Sequence, residues 1–398
     1  MFSRRWFSLC LRFSLCPAAI LLAGCANSSV SVPTVSAQSD ARPSEVPRQR
    51  QADDVARFIA GIPGGAGSPF VELESSDAWK EHRRILDEAW ATTEGKLIRG
   101  LQNFQKTELT DPTFKQAPVF YPFSGPDTLT VTNCFPQAPV YVMVGLEPAG
   151  TLPSTAQIEK KDLDKYLEAI RATVASELDR SFFITRQMDR QFRGQVTDGL
   201  LLPILHLLVR THHTIVGFRY VRLDEKGDVV ERAANYHAPG KIGNKGVEIE
   251  FKGDSEPSSH KLYYFSVNLS DQRLKQDPQF LNYLGHLKGS TTLLKATSYM
   301  THRSAFSIIR DQILANSAAV LQDDSGIPFR YFEKQEWKVQ LYGEYQRPYG
   351  SFRWLEQPDL RKAFASGGAK ALAFRIGYGY SQVPSNLLLA RRGQAPAI

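Results

Sequence analysis

Cysteine is scarce in this chain: four in 398 residues. Cys10 and Cys16 sit in the N-terminal segment, Cys25 ends it, and Cys134 stands alone in the remainder. A domain with no intrachain disulfide must rest on its hydrophobic core. Basic runs of the kind that grip phosphate backbones are absent, which removes nucleic acid as an expected partner. No repeat of fixed period occurs, so a solenoid is excluded. There is no Gly-x-Ser-x-Gly elbow, since Ser124 stands in "PFSGP", and this removes the usual signature of an α/β-hydrolase. His206, His212 and His213 do not follow a zinc-ligand spacing and no cysteine supports them, so no metal is expected.

The first 25 residues are present for another reason than folding. Arg4, Arg5 and Arg12 precede or interrupt an apolar segment that ends in Leu22-Ala23-Gly24-Cys25. That order of charge, apolar stretch and small residues is an export signal. Arg12 and Pro17 cut the apolar stretch short of the about 20 residues a membrane span needs. The last four residues resemble a bacterial lipobox, which implies cleavage before Cys25 and a lipid on its thiol. Ser3-Arg4-Arg5-Trp6-Phe7 is similar to a twin-arginine export motif. Ala26 after the lipid cysteine resembles an outer-membrane sorting signal, which implies the periplasmic side of that membrane in a diderm host. Removing the signal takes three arginines, and the formal charge of +7 becomes +4.

Residues 26–52 are Ser, Pro, Ala and polar residues with almost no large apolar ones. They read as a flexible tether. Residues 53–398 are then long enough for one α/β domain. Within it, "DAWKEHRRILDEAWATTEGKLIRGLQNF" has helical spacing, with Asp77 placed to cap. In residues 117–150, an apolar run ends in Ser124-Gly125-Pro126-Asp127. A short helical piece follows, reaching Phe135-Pro136. A second run, Val140 to Val144, then ends in Gly145-Leu146-Glu147-Pro148. This is the outline of a parallel βαβ unit, with strands buried on both faces. Leu163, Leu167, Ile170, Val174 and Leu178 mark a long amphipathic helix, and "GLLLPILHLLVRTHH" a buried one. Residues 214–252 differ: "TIVGFRYVRLDEKGDVVERA" is a hairpin signal and "GVEIEF" alternates, so this part reads as a β insertion or added layer. "KLYYFSVNL", "TTLLKA" and "AAVLQ" add strands, and "SYMTHRSAFSIIRDQILANS" a helix. "WKVQLYGEY" and "ALAFRIGYGY" close the sheet as an antiparallel pair. The expected fold is a mainly parallel Rossmann-like sheet with helices on both faces.

The order strand, "SGPD", helix, strand ending at Glu147, then strand, helix, "VLQDD" and a terminal strand pair resembles the fold of class I methyltransferases. The resemblance covers roughly residues 115–380 and implies architecture. "SGPD" carries one glycine where that family usually has two or three, and no cofactor is assigned.

In an open parallel sheet, ligands bind beyond the carboxyl ends of the strands. Four loops would meet there, carrying Ser124, Gly125, Asp127, Glu147, Ser298, His302, Asp323 and Asp324. Carboxylates beside a histidine can do acid–base work or hold a ligand. Each residue also has an ordinary use, because Asp and Ser cap helices and brace turns. Ser298 and His302 would share a face if their stretch were helical, with Lys295 a turn earlier. Strand residues alternate sides, so one of Asp323 and Asp324 should face the cleft while the other braces the turn through Ser325-Gly326. His206 reads as a core histidine and Cys134 as a buried, inert thiol. The aromatic-rich residues 329–354 could line a groove, though Trp337, Val339 and Leu341 share a core face.

The expected function is a lipid-anchored cell-envelope protein that binds a small molecule or partner through its cleft. The alternatives are an envelope transferase or hydrolase using Asp323, Asp324, Ser124 and Asp127, and a structural lipoprotein acting through its β insertion.

Overall fold

Alternate residues of the central strands enter two different cores. Val119, Tyr121, Tyr141 and Met143 join one apolar cluster; Phe120, Val142 and Val144 join the other. A strand places successive side chains on opposite faces, so this partition means a sheet covered on both sides. In the computed structural model, the described residues are 45–65, 67–159, 162–181, 198–234, 244–254, 256–333, 336–380 and 384–393. The signal segment, Cys25 and residues 26–44 of the tether lie outside them.

Ten strands form one sheet: β1 (Val119–Pro122), β2 (Val140–Gly145), β3 (His213–Leu223), β4 (Val229–Glu231), β5 (Lys245–Gly253), β6 (His260–Ser266), β7 (Ser290–Leu294), β8 (Ser317–Gln322), β9 (Trp337–Gly343) and β10 (Asn386–Arg392). Their order is β4-β3-β5-β6-β2-β1-β7-β8-β10-β9. The five central strands pair in parallel through β6·β2, β2·β1, β1·β7 and β7·β8. Both wings are antiparallel, β4·β3, β3·β5 and β5·β6 on one side, β8·β10 and β10·β9 on the other. The sheet is therefore mixed, with antiparallel pairings slightly the more numerous. The expected mainly parallel sheet holds only for the centre. Residues 214–252 are no separate layer, because β5 pairs directly with β6 and extends the same sheet.

The two faces are covered by different helices. Every residue of Leu201–Arg210 is buried, and Leu101 and Phe104 of Arg99–Glu108 join the same core. A buried Leu or Ile side chain contributes about 1.5–3 kcal/mol, so this helix is held by apolar contact on all sides. Phe280, Ile309, Ile313 and Leu360, from Gln279–Leu284, Ser307–Asn316 and Pro358–Ala365, cover the opposite face. Among the described residues no helix is long and apolar enough to cross a membrane.

Four further expectations need correction. The helix Glu45–Ile59 begins inside the segment read as tether, and Ala52, Val55 and Phe58 are fully buried. Sparse alanines and a valine suffice there because the large apolar partners come from elsewhere in the chain. Ser76, not Asp77, caps Asp77–Thr93, its side chain accepting from the Trp79 amide. "SYMTH" is not an α-helix: Ser298 and Tyr299 have φ of 54° and 53°, and only a 3-10 turn follows over Met300–His302. Finally, "ALAFRIGYGY" forms no strand. Gly377 takes φ 58° and a 3-10 turn spans Gly377–Gly379. The tenth strand is "NLLLARR" instead, whose Leu387, Leu388, Leu389 and Ala390 are all buried. Its apolar run lacks alternation because β10 lies between β8 and β9, covered on both faces.

Candidate functional site: two cavities at one sheet edge

The five parallel strands end at one edge, and the loops that follow them enclose two cavities. The loop after β1 starts with Phe123 at φ 60°, an unfavourable region for a bulky side chain. It ends with Asp127, which caps Thr128–Cys134 by accepting from the Thr130 amide at 3.0 Å. The same carboxylate lies 2.6 Å from the Lys295 ammonium, and the Tyr121 hydroxyl donates to it at 2.6 Å. Lys295 also donates to the Thr130 hydroxyl at 2.9 Å. Both side chains of the ion pair are 2% exposed. Such a pair holds only because hydrogen bonds satisfy the rest of each group.

Glu147 follows β2 and is also buried. Its backbone carbonyl accepts from the Tyr264 hydroxyl at 2.8 Å. A side chain at Gly145 would meet that hydroxyl at 2.4 Å, so glycine is required where β2 ends. The loops after β1, β2, β6 and β7 enclose a cavity of about 130 Å³, roughly ten times what one water needs. Ser124, Gly125, Asp127, Glu147, Asn268, Lys295 and Ser298 line it, together with apolar Phe123, Leu146, Val267 and Phe306.

The loop after β7 separates this cavity from a second one. Ala296, Ser298 and Tyr299 all have positive φ, at 51°, 54° and 53°. Four of the six non-glycine residues with positive φ among the described residues therefore lie at this edge. Strained backbone persists only where its surroundings hold it, and here the holding groups are visible. The Ala296 amide donates to the Asp323 carboxylate at 2.8 Å, and the Thr297 amide to the Ser325 hydroxyl at 2.8 Å. The Ser298 amide donates to the Tyr378 hydroxyl at 3.0 Å, which itself donates to the Ala296 carbonyl at 3.0 Å. The second cavity, about 230 Å³, is lined by Tyr299, Asp323, Asp324, Arg347, Tyr349, Phe352, Tyr378 and Asn386, among others.

The sequence-predicted residues are thus divided. Ser124, Gly125, Asp127, Glu147 and Ser298 share the first cavity; Asp323 and Asp324 line the second. His302 lines neither. It packs edge-on to Tyr299, and burial, with the Arg330 charge, lowers its pKa to about 4. The helical face it would share with Ser298 does not form, because Ser298 and Tyr299 lie in the left-handed region. Asp323 braces the turn as expected, accepting from the Ser325 amide and hydroxyl. Asp324 accepts from the Tyr299 hydroxyl at 2.5 Å and from Asn386 at 3.1 Å. Burial raises the pKa of both acids, and the charge of Asp324 raises that of Asp323 further. Burial and the Asp324 charge likewise push the Tyr299 hydroxyl far up.

Cys134 is buried, its thiol pushed up to about 12 mainly by burial. His206 is a core residue whose Nδ1 lies 3.4 Å from the Ile59 carbonyl, its pKa lowered to about 3 by burial. Trp337 and Leu341 are core, whereas Tyr349 and Phe352 from the same aromatic-rich segment face the second cavity. Sequence reasoning named Lys295 only as a neighbour of Ser298 and His302, and did not assign Asn268, Tyr299 or Tyr378 to a site. A lysine closing the apolar run "TTLLK" was the one available signal, since a charge there must find a buried partner. Comparison with protein-family models, with curated proteins and with solved structures found no match.

Proposed function

We propose that this is a lipid-anchored protein of the cell envelope that binds a small molecule in the first cavity. The observation that carries the binding role is the convergence of four loops, from four neighbouring parallel strands, on a cavity lined by buried polar groups of both signs. Taken alone, the parallel strands run β6-β2-β1-β7-β8, which in chain order is 3-2-1-4-5. This is the order of a doubly wound Rossmann-like sheet, and it supports that reading of the centre. In such sheets the ligand crevice lies where the order reverses, beside the first strand, and Ser124 and Asp127 follow β1. Asp127 and Lys295 act as the fixed frame of the cavity. Glu147, Asn268 and Ser298 are the groups offered to a ligand.

Anchoring rests on the lipobox-like Leu22-Ala23-Gly24-Cys25. Native mass spectrometry of the protein purified from its host tests the binding role. A retained small molecule that is lost from a folded Glu147→Gln variant is the expected result. Equal retention in that variant, or no retained mass in the wild type, counts against it. Cys25→Ser should abolish labelling by a fatty-acid probe and release the protein from membranes; continued membrane attachment would refute the anchor.

A further inference from the structure

We propose that the second cavity binds a small organic cation, an amine or quaternary ammonium group held between the rings of Tyr299, Phe352 and Tyr378 and the carboxyl groups of Asp323 and Asp324. This site is separate from the first cavity and does not rest on the function assigned to it.

Three observations converge on that chemistry. The first is the aromatic wall. The Tyr299 and Tyr378 rings are nearly parallel, at 8° and 6.3 Å, and Phe352 lies 5.1 Å from one and 5.7 Å from the other. The tyrosine hydroxyls are committed to Asp324, Ala296 and Ser298, which fixes the rings and leaves their π surfaces as the contact they can offer. Tyr349 stands at the mouth, 53% exposed.

The second is an acid pair without a counter-charge. Among the described residues no ion pair is made by Asp323 or Asp324. Asp323 is 4% exposed, and both acids receive neutral donors only. Arg347 lines the same cavity, but its guanidinium is engaged by Glu356 at 2.5 Å. A buried acid with no cation beside it is balanced by a proton or by a cation that enters, and a bound cation favours the ionised form.

The third is the combination of walls. A hard metal ion takes a shell of oxygen ligands, and three aromatic rings on one side cannot supply it. No group of three or more metal-ligating side chains occurs among the described residues. Aromatic faces beside a carboxylate instead suit an alkylammonium group, whose charge meets the acid while its carbon surface packs on the rings.

Choline and its uncharged isostere 3,3-dimethylbutan-1-ol, titrated calorimetrically into the full chain in non-ionic detergent, test this directly. Saturable choline binding is expected, with the isostere about tenfold weaker or more. Asp324→Asn should weaken choline about tenfold and leave the isostere unchanged. Phe352→Leu keeps an apolar filler but removes the ring, and should weaken choline about threefold or more. If Asp324→Asn does not fold, Phe352→Leu and the isostere decide the question. No saturable choline binding at millimolar probe, equal affinity for the isostere, or full affinity in Phe352→Leu would each overturn the site.

Discussion

In the first cavity the buried acid Asp127 meets a lysine 2.6 Å away; in the second, among the described residues, Asp323 and Asp324 meet amides and hydroxyls but no cation. The two share a wall, the strained loop after β7, and both open at the same sheet edge. They differ in where the balancing charge comes from. In one it is built into the chain; in the other, on the reading given above, a ligand brings it. A fold can thus hold acids in adjacent chambers and use the lysine-paired one as scaffold and, on that reading, the other two as bait.

The comparison breaks most visibly at the scaffold. Lys295→Ala or Asp127→Ala removes one half of the buried ion pair and should cost about 3–5 kcal/mol each in urea denaturation. The double variant should cost less than the sum, because both changes remove one shared interaction. Additive losses would mean that the pair is not coupled. Next in size is the pH response of the acid pair. The Asp323 pKa rises from 3.8 to about 7 in the folded protein. Between those values the folded state holds a proton the unfolded state has released. Stability from this group is therefore full below pH 3.8 and is lost as pH rises through about 7, at up to about 1.4 kcal/mol per pH unit. The groups facing it are Asp324, Tyr299, Tyr345 and Tyr378, with Lys295 and His302 on the adjoining loop. The tyrosines are all pushed above their ordinary range, so they do not titrate in this window. His302 is shifted the other way, to about 4. The difference between wild-type and Asp323→Asn stability curves isolates the acid, and it should shrink with rising pH. A difference independent of pH would show that Asp323 stays ionised throughout.

The smallest effect is expected at the shared wall. Ala296→Gly relieves a φ of 51° and should raise stability by up to about 1 kcal/mol, partly offset by the entropy of the freed unfolded chain. A loss of more than that would show that the alanine methyl packs against a group the cavity needs.

The βαβ unit of β1 and β2 was readable because its apolar runs and its "SGPD" and "GLEP" punctuation are local. Asp127 illustrates where such reading stops. Its placement after a strand was visible, but its partner Lys295 stands 168 positions later, and only the β1·β7 pairing brings them together. Grouping Asp323 and Asp324 with Ser124 and Asp127 failed for a similar reason. Strand ends on one edge predict neighbours, yet the conformation of residues 296–299 decides whether neighbours share a chamber. That conformation depends on Tyr378 and Ser325, which no local pattern reveals. β10 went unread because a short apolar stretch carries no period, and its burial on both faces follows from insertion between two strands already made.

That insertion has a consequence in time rather than space. β8 and β9 are near each other in the chain, but they are not partners; the slot between them waits for a segment that leaves β9 at Gly343 and returns at Asn386. Until it arrives, β8 presents an open, apolar edge of the kind that recruits other chains. Ser385 and Asn386, which line the second cavity, sit at the start of the arriving strand. The chamber that holds the acid pair is therefore complete only once β10 lies between β8 and β9, and its completion reports that the sheet has closed.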